Sequence, residues 1–354
     1  MKILYWGTPD YAVPTLLALH TAGHEIVGVV TQPDRRRGRG KQLLPSAVKV
    51  CAQSLGLSVY TPERIKIDTD CQNELANLKP DISVVVAFGQ ILPKSVLEQP
   101  PLGCWNGHGS LFPRWRGAGP IQWALLEGDS ETGVGIMAME EGLDTGPVLL
   151  EQRIPICLCQ NAETVAMELS QLTAKLMVEA MDLIFKAGMG SEAERLIRLN
   201  VQNQGQKSSY ARMLKKDDFQ INWNDSALLT HRKVMGLYPS AHTVWRNKRL
   251  KLTDTEPLIE RFRDEISADA RVLLGRWSTG GDQPGTVLAC INHVGIVVST
   301  SGCPILIREA QLEGKGRSRA QGLIQQLDAS TGDCLLYTSD AADEGLGVDL
   351  GGRR

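Results

Sequence analysis

The first thirty residues alternate between short apolar runs and polar turns, a pattern that predicts a strand-helix-strand unit. Residues 3–6 form an apolar run that ends at Gly7, residues 12–21 carry apolar side chains at helical spacing, and residues 26–30 form a second apolar run. Unbroken apolar runs are typical of parallel strands that are covered on both faces. A third and stronger run spans 81–88. The first half of the chain therefore predicts an α/β fold with a doubly wound parallel sheet.

The pattern changes beyond residue 186. Residues 162–186 predict a long amphipathic helix that closes a first domain at 1–186, and residues 187–209 lose periodicity, as expected of a linker. From 210 to 329 the chain carries a helical stretch and then short apolar runs at 241–252, 285–291, 295–299 and 304–310. Strands of that length and spacing are typical of a small β-barrel. The charged stretch at 256–282 is predicted to be a mobile insertion.

Composition narrows the class of protein. The chain has 354 residues, enough for two domains, and a formal net charge of -2, so any nucleic-acid surface must be a local patch. Its eight cysteines lack the spacing of a zinc or redox motif, which predicts reduced thiols in a cytoplasmic protein with no metal. No apolar run reaches the roughly 18 residues of a membrane span. We therefore expect a cytoplasmic protein without a membrane partner.

One local patch is strongly basic. Between the second strand and the next helix, five cations fall within seven residues, namely Arg35, Arg36, Arg37, Arg39 and Lys41. Arginine side chains match phosphate oxygens, and the intervening glycines leave the backbone free to follow a nucleic-acid backbone. A charge run can also be a merely solvated face, and that alternative stays open. The patch predicts binding of phosphates.

Candidate chemistry lies at 101–120, a Gly- and Pro-rich stretch that predicts a loop because it has neither helical nor strand periodicity. It carries Asn106 and His108, which either cap backbone groups or take part in a reaction. A second polar turn at 141–147 brings Asp144, which could meet His108 in space. The DTG triplet at 144–146 occurs once, whereas an aspartic protease needs two. The turn after the first strand lacks G-x-G-x-x-G, which disfavours a dinucleotide site.

Several motifs together resemble the 10-formyltetrahydrofolate-dependent formyltransferases. These are N-x-H at 106–108 with the following SLFPRWRGAGP, the turn GLDTG, the opening GTPDYAVPTL and the loop TQPDRRRGRGKQLLPSAVK. The loop, together with residues 210–223 and 236–239, is similar to members of the family that act on aminoacylated tRNA. The resemblance covers about residues 1–327. Trp105 and Phe112 depart from it, which predicts a reshaped folate pocket.

The resemblance implies formyl transfer from 10-formyltetrahydrofolate to the α-amino group of methionyl initiator tRNA, without a metal and by a monomer. Asn106 would donate to the oxyanion, His108 would protonate the leaving nitrogen, and Asp144 would orient His108 and accept the amine proton. Folate would be bound by Ser110, Leu111, Phe112, Pro113, Gly89, Gln90, Ile91 and Leu92. The tRNA would be bound by the basic loop and by an OB-like C-terminal domain. There Lys315, Arg317 and Arg319 would suit that role, although exposed basic residues after a strand are more often ordinary surface residues.

Two alternatives to this function remain. One is a formyltransferase that acts on a small amine, such as an amino sugar or a purine-pathway intermediate, and the other is a catalytically silent tRNA-binding protein. The end of the chain stands apart, because residues 330–354 do not resemble the family and are rich in Gly and Asp. They are predicted to be a non-native, vector-derived tail that truncates the second domain, or else a disordered native tail.

Overall fold

The computed structural model describes residues 1–37, 42–278 and 281–335. Its chain divides into two compact units. The first comprises Met1–Ile121, Glu131–Pro155 and Thr164–Met213, and the second comprises Gln122–Ser130, Ile156–Glu163 and the chain from Leu214 onward. The sequence predicted instead a simple succession of two domains joined at 187–209.

The first part of the chain alternates strands with helices. The strands are β1 (Lys2–Gly7), β2 (Glu25–Val30), β3 (Arg35–Arg37), β4 (Gln42–Leu44), β5 (Val59–Tyr60), β6 (Ile82–Val86), β7 (Cys104–His108), β8 (Arg116–Gly117), β9 (Glu131–Ala138), β10 (Val148–Pro155) and β11 (Tyr210–Ala211). The helices are α1 (Val13–Thr21), α2 (Ala47–Ser54), α3 (Thr69–Asn77), α4 (Lys94–Leu97), α5 (Pro120–Glu127), α6 (Ala162–Ala187) and α7 (Glu192–Leu199), with a 3-10 turn at Asp10–Ala12.

The main sheet of the first unit is mixed, not wholly parallel. Among the described residues it has the strand order β10-β9-β7-β6-β1-β2-β5. The strands from β7 to β5 run parallel, as predicted, whereas β9 runs in the opposite direction and pairs antiparallel with both β7 and β10. On one side of β1 lie β2 and the edge strand β5. On the other side lie the later strands β6 and β7, so the strand order reverses at β1. Ligands of open α/β sheets bind at the carboxyl ends of strands where the order reverses in this way.

The prediction of a loop throughout 101–120 is wrong, because residues 104–108 form β7. This strand is buried along its whole length and pairs with β6 on one side and β9 on the other. Its sequence, CWNGH, has no alternation, since polar side chains and a glycine stand where a buried strand normally carries aliphatic residues. The ladder on both sides supplies the order that the local sequence does not encode.

The segment predicted as a linker also contains structure. Helix α7 lies within it and begins with a capping box, in which Ser191 and Glu194 exchange hydrogen bonds between side chain and backbone. Further along, Gln202 pairs with Val148 through two backbone hydrogen bonds of 2.8 Å. The chain from 202 to 211 therefore belongs to the first unit.

The second unit is built on a separate sheet. Its helices and strands are α8 (Ala227–Gly236), β12 (His242–Trp245), β13 (Lys248–Pro257), α9 (Ala268–Arg271), β14 (Val287–Ile291), β15 (Gly295–Val298), β16 (Ile305–Leu312), β17 (Arg317–Arg319) and α10 (Ala320–Leu327), with 3-10 turns at Lys216–Phe219 and Glu260–Phe262. The antiparallel order is β12-β13-β16-β15-β14, and β17 also pairs with β16. Within the described residues no pairing closes this sheet into a barrel.

The predicted mobile insertion at 256–282 contributes buried side chains to the second unit. Four of its residues, Leu258, Ile266, Ala270 and Leu273, are buried in one apolar cluster. Glu256 is also buried, and its carboxylate accepts hydrogen bonds from Arg308 at 2.7 Å and from the hydroxyl of Ser267 at 2.8 Å. High charge content suggested mobility, but part of that charge is paired within the second unit, as the contact of Glu256 with Arg308 shows.

The first six residues of the tail predicted to be non-native also pack against the second unit. Leu335 is 3% exposed and lies in the apolar core. Backbone hydrogen bonds join Val287 to Asp333 and Leu335 to Gly285, at 2.7 and 2.8 Å. Residues 336–354 lie outside the described residues.

Candidate active site

Strand β7 presents two of the predicted catalytic side chains. Asn106 and His108 are two residues apart, so both side chains leave the strand on the same face. Their exposed fractions are only 9% and 7%. Because β7 is paired on both sides, its end holds these two polar groups on a rigid support.

The turn between β9 and β10 brings Asp144 to the same place. One carboxylate oxygen, Oδ1, accepts a hydrogen bond from Asn106 Nδ2 at 3.3 Å, and the other, Oδ2, accepts one from the backbone N–H of Gly117 at 2.8 Å. The Nδ1 atom of His108 lies 3.8 Å from Oδ2. The fold therefore joins the three side chains that the sequence singled out, although 38 residues separate Asn106 from Asp144.

The contacts of His108 assign roles to its two ring nitrogens. Nε2 lies 3.0 Å from the backbone carbonyl of Trp115. A carbonyl oxygen only accepts, so Nε2 carries the proton of the neutral ring and donates it. Nδ1 is then the nitrogen that can gain or lose a proton, and it faces the carboxylate of Asp144.

An aromatic ring covers one face of the imidazole. Phe112 stacks on His108 with ring centroids 5.1 Å apart and an interplanar angle of 19°. The residue directly opposite His108 on β9 is Gly135, and a Cβ there would lie 2.6 Å from the Phe112 ring. The glycine thus leaves the space that the ring fills, and Phe112 and the Asp144 turn restrict the imidazole.

Some of the predicted folate-binding residues in 110–113 make hydrogen bonds within the protein. Ser110 is fully buried, and its hydroxyl donates to the carbonyl of Arg114 at 2.8 Å. The backbone N–H of Phe112 donates to Glu151 at 3.0 Å. Leu111 and Pro113 are half-buried. Hydrogen bonds thus hold Ser110 and the backbone of Phe112 in place, with the Phe112 ring against His108.

The other predicted folate-binding segment follows β6. Thr8, after β1, donates its hydroxyl hydrogen to the carbonyl of Phe88 at 2.8 Å, so the carboxyl ends of β1 and β6 are joined where the strand order reverses. Gln90 donates to the carbonyl of Pro62 at 3.1 Å and accepts from the N–H of Ile65 at 2.8 Å. Its amide therefore holds a neighbouring loop. Gly89 and Ile91 are exposed, whereas Leu92 is buried.

Part of the predicted tRNA-binding patch forms a small hairpin. Strand β3 carries Arg35, Arg36 and Arg37 and pairs antiparallel with β4. The side chains of Arg35 and Arg36 are exposed. Lys49 and Asp34 form an ion pair of 2.8 Å beside the start of the hairpin. The predicted cations Arg39 and Lys41 lie outside the described residues.

Sequence reasoning missed groups that hold the site together. Ser209 accepts a hydrogen bond from the backbone N–H of Trp115 at 3.0 Å, and Gln204 donates to the carbonyls of Asp144 and Gly146 at 3.0 and 2.8 Å. Both residues lie in the segment without periodicity, where no local pattern distinguishes them. The nearest signal in the sequence was the stretch of family resemblance at 210–223, which begins just after Ser209.

Two kinds of feature were not found in the part of the chain that the structure describes. No group of three or more His, Cys, Asp and Glu side chains there could hold a metal ion. None of the described helices combines the length and the apolar character needed to cross a bilayer.

Comparison with known proteins identifies the class. The formyl transferase family matches residues 1–181, and the C-terminal domain of formyl transferases matches residues 213–327. The chain belongs to the formyltransferase family.

Named relatives show which members of the family the chain is similar to. The chain is similar to the methionyl-tRNA formyltransferase of Synechococcus sp. strain CC9902, with 82% identity over 94% of this chain and 98% of the relative. It is 69% identical to the protein of the same name from strain CC9311, over 93% and 97% of the two chains. Among solved structures, HypX from Aquifex aeolicus in complex with tetrahydrofolic acid has a TM-score of 0.58 at 15% identity. That match covers 95% of this chain but only 51% of HypX, and it concerns the fold alone.

Proposed function

We propose that this protein transfers the formyl group of 10-formyltetrahydrofolate to the α-amino group of methionyl initiator tRNA, for translation initiation. The observation that carries the proposal is the meeting of Asn106, His108 and Asp144 at the end of β7, in a chain of the formyltransferase family. The acceptor follows from the named relatives, which share up to 82% of their residues with this chain.

The reaction forms one C–N bond and breaks another. The amine nitrogen of the methionyl group attacks the formyl carbon, and the carbonyl oxygen becomes an oxyanion in a tetrahedral intermediate. The bond from that carbon to N10 of the folate then breaks. The amine loses one proton and N10 gains one, so the proton count is balanced and the catalytic groups need only move protons and stabilise the oxyanion.

The three side chains match these needs. Asn106 Nδ2 has two hydrogens, of which one contacts Asp144, and the other can donate to the oxyanion. Asp144 accepts the amine proton, directly or through a water, and passes a proton to Nδ1 of His108, while Nε2 keeps its own proton on the Trp115 carbonyl. The imidazolium formed in this way, stabilised by the Asp144 carboxylate, donates the Nδ1 proton to N10, so both side chains return to their starting protonation states.

Folate is proposed to lie along the strand ends. The pterin side would be formed by 89–92 after β6, and the reactive end would lie beside 110–113. Supporting this, the strand order reverses between β1 and β6, and ligands of such sheets bind there. Exposed Ile91 offers an apolar contact for the pterin ring.

The tRNA is proposed to contact two basic surfaces. One is the β3–β4 hairpin with Arg35 and Arg36, together with the cations at 37, 39 and 41. The other lies on the second unit, which we propose to be OB-like. Four polar residues on adjacent strands lie in register and share one face of its sheet, His242, Lys251, Gln311 and Arg317. In contrast, Arg319 pairs with Asp254 and Glu309 and is less suited to phosphate.

We also propose that the enzyme acts as a monomer in the cytoplasm. The three proposed catalytic side chains all belong to the first unit of one chain, so no second copy is needed to complete the set.

The proposal is tested by measuring formyl transfer from 10-formyltetrahydrofolate to methionyl initiator tRNA, methionyl elongator tRNA and small amines. Preferential formylation of the initiator is expected. Turnover on an amino sugar or a purine-pathway amine without transfer to tRNA would assign the protein to another acceptor class. Binding of tRNA without any transfer would indicate a silent binding protein.

The role of His108 is tested by His108→Ala, with His20→Ala on exposed α1 as the control. Loss of a proton-transfer group is expected to lower kcat by about 10² to 10⁴-fold. The control is expected to keep the activity of the unmodified enzyme, since His20 lies on the surface of α1. Full turnover by His108→Ala would contradict the proposed mechanism.

A further inference from the structure

Gln204 lies in the segment after α7 that the sequence predicted to be a linker, and its side-chain amide joins two parts of the active site. The amide nitrogen donates to the carbonyls of Asp144 and Gly146, at 3.0 and 2.8 Å. The amide oxygen accepts from Nε and Nη2 of Arg116, at 2.9 and 2.6 Å. Both hydrogens and the oxygen of the amide are therefore engaged.

The donor side of Gln204 acts on the turn that carries Asp144. The backbone of Asp144 has φ of 53°, in the left-handed region that a non-glycine residue adopts only at a cost in free energy. On its other side the turn is pressed against β9, because a Cβ at Gly146 would collide with the carbonyl oxygen of Ala138. Gln204 thus holds a strained turn against the sheet by two carbonyl contacts.

The acceptor side of Gln204 acts on β8. Arg116 is 9% exposed and lies between Trp115 and Gly117. The carbonyl of Trp115 receives the hydrogen bond from His108, and the N–H of Gly117 donates to the Asp144 carboxylate. The positive guanidinium also polarises the amide of Gln204 and strengthens its donor side.

We propose that Gln204 is a positioning residue for formyl transfer, which fixes the direction of the Asp144 carboxylate without contacting either substrate. This inference rests on the proposed function of the same site. The physical basis is that Gln204 couples the backbone of Asp144 to the segment that binds both the Asp144 carboxylate and the His108 ring. Without the coupling, the left-handed turn relaxes and the carboxylate leaves the N–H of Gly117.

Three variants distinguish the donor hydrogen bonds of the Gln204 amide from its acceptor hydrogen bonds. Gln204→Met keeps the length of the side chain but loses all four hydrogen bonds. Gln204→Glu still accepts from Arg116, yet its ionised carboxylate cannot donate to the two carbonyls. Gln202→Met is the matched control, because Gln202 lies in the same segment, is exposed, and donates from its side chain to the carbonyl of Asn200 at 3.1 Å.

Formyl transfer is the first measurement. Gln204→Met and Gln204→Glu are each expected to lower kcat by about 10 to 100-fold, since small misplacement of a catalytic group has effects of that size. The KM values for folate and tRNA are expected to stay within twofold, because Gln204 is not a binding residue. Wild-type kcat in Gln204→Glu would overturn the inference, as would a change confined to the KM for tRNA.

A second measurement needs no activity. Hydrogen exchange of the Gly117 amide, followed by NMR, reports directly on its bond to Asp144. Exchange is expected to accelerate at least tenfold in both Gln204 variants and to be unchanged in Gln202→Met, with the melting temperature of all variants within a few degrees. If exchange at Gly117 is unchanged in the Gln204 variants, the inference is overturned, whether or not the unmodified protein transfers a formyl group. If the unmodified protein transfers no formyl group, the proposed function is overturned, whatever the exchange shows. Should Gln204→Met fail to fold, the Gln204→Glu result decides.

Discussion

The imidazole of His108 is restricted by groups from different parts of the chain. The Trp115 carbonyl binds one nitrogen, the Phe112 ring covers one face, and Asp144 faces the other nitrogen. Phe112 is one of the two positions where the chain departs from the formyltransferase pattern, and the sequence associated it with the folate pocket. Its ring stacks on His108, so this departure bears on the proposed proton transfer as well as on the proposed folate binding.

A second histidine, His231, gives a prediction about stability. It is 1% exposed, and its Nε2 donates to the carbonyl of Leu158 at 2.8 Å while Nδ1 lies 3.0 Å from the hydroxyl of Thr255. Burial lowers the pKa of His231, because the charged ring is poorly solvated there, although the contacts with Leu158 and Glu256 oppose the effect. The folded protein therefore holds this ring neutral at a pH where the unfolded chain binds a proton.

The free energy of unfolding is accordingly expected to fall as the pH drops below about 6.5, the usual pKa of histidine in an unfolded chain. The contribution of His231 is fully present above that pH and is lost toward the lower folded pKa, by at most about 1.4 kcal/mol per pH unit. Urea unfolding of the unmodified protein and of His231→Gln between pH 5 and 7.5 checks this. Parallel pH profiles for the two proteins would contradict the prediction.

At the scale of elements, the β3–β4 hairpin concentrates positive charge in a chain with a net charge of -2, and it is one of the two surfaces that we propose for tRNA. The pairing of β3 with β4 places consecutive arginines on a short exposed strand. The ion pair between Arg35 and Glu63, at 4.0 Å, is exposed to solvent and weakens in salt. A weak, solvent-exposed pair of this kind lets Arg35 exchange Glu63 for a phosphate.

Replacing Arg35 and Arg36 together by Ala is expected to raise the KM for tRNA by roughly tenfold and to reduce its salt dependence by about one logarithmic slope unit per arginine. The KM for folate should not change. Initial rates at several salt concentrations provide the measurement, and Lys175→Ala with Lys186→Ala, on exposed positions of α6, is a control of equal charge. If both double variants show the same KM for tRNA, the hairpin has no special role.

Among the elements, β7 and α7 show the limits of sequence reasoning. The sequence CWNGH has no strand periodicity, and only its neighbours β6 and β9 make it a strand. Helix α7, in contrast, carried a local signal, since Ser191 and Glu194 have the spacing of a capping box. The local sequence therefore did not predict β7, whereas it did contain a signal for α7 that was overlooked.

At the scale of the whole molecule, the two compact units are interleaved along the chain. The segments Gln122–Ser130 and Ile156–Glu163 belong to the second unit, although the chain on either side of each belongs to the first. The helical and strand patterns of those segments gave no sign of this division. Domain membership depends on long-range contacts, which local periodicity does not report.

The packed residues 330–335 lead to a prediction about truncation. A chain that ends at Ala329 is expected to be less stable than one that ends at Leu335, by about 2 to 4 kcal/mol, because it loses a buried leucine as well as the pairing with β14. Comparing thermal and urea unfolding of these two chains isolates the six residues. Equal stability would mean that the segment contributes nothing to the second unit.

The sequence by itself determined the features that depend on short range. Apolar runs predicted the parallel strands β1, β2 and β6 and the long helix α6, and the motifs around Asn106, His108 and Asp144 indicated the formyltransferase family. These signals are local, because a stretch of about 20 residues is enough to recognise each of them: burial on both faces, helical amphipathicity and motif spacing.

Only the tertiary structure decided how those parts meet. It made 104–108 an interior strand of the sheet, reversed the direction of β9, and packed part of the charged insertion through the pair of Glu256 with Arg308. It also joined Asp144 to Gln204, which are 60 residues apart. Hydrogen bonds between such distant residues form only once the strands of the first unit have assembled, and for that physical reason no local pattern in the sequence predicted them.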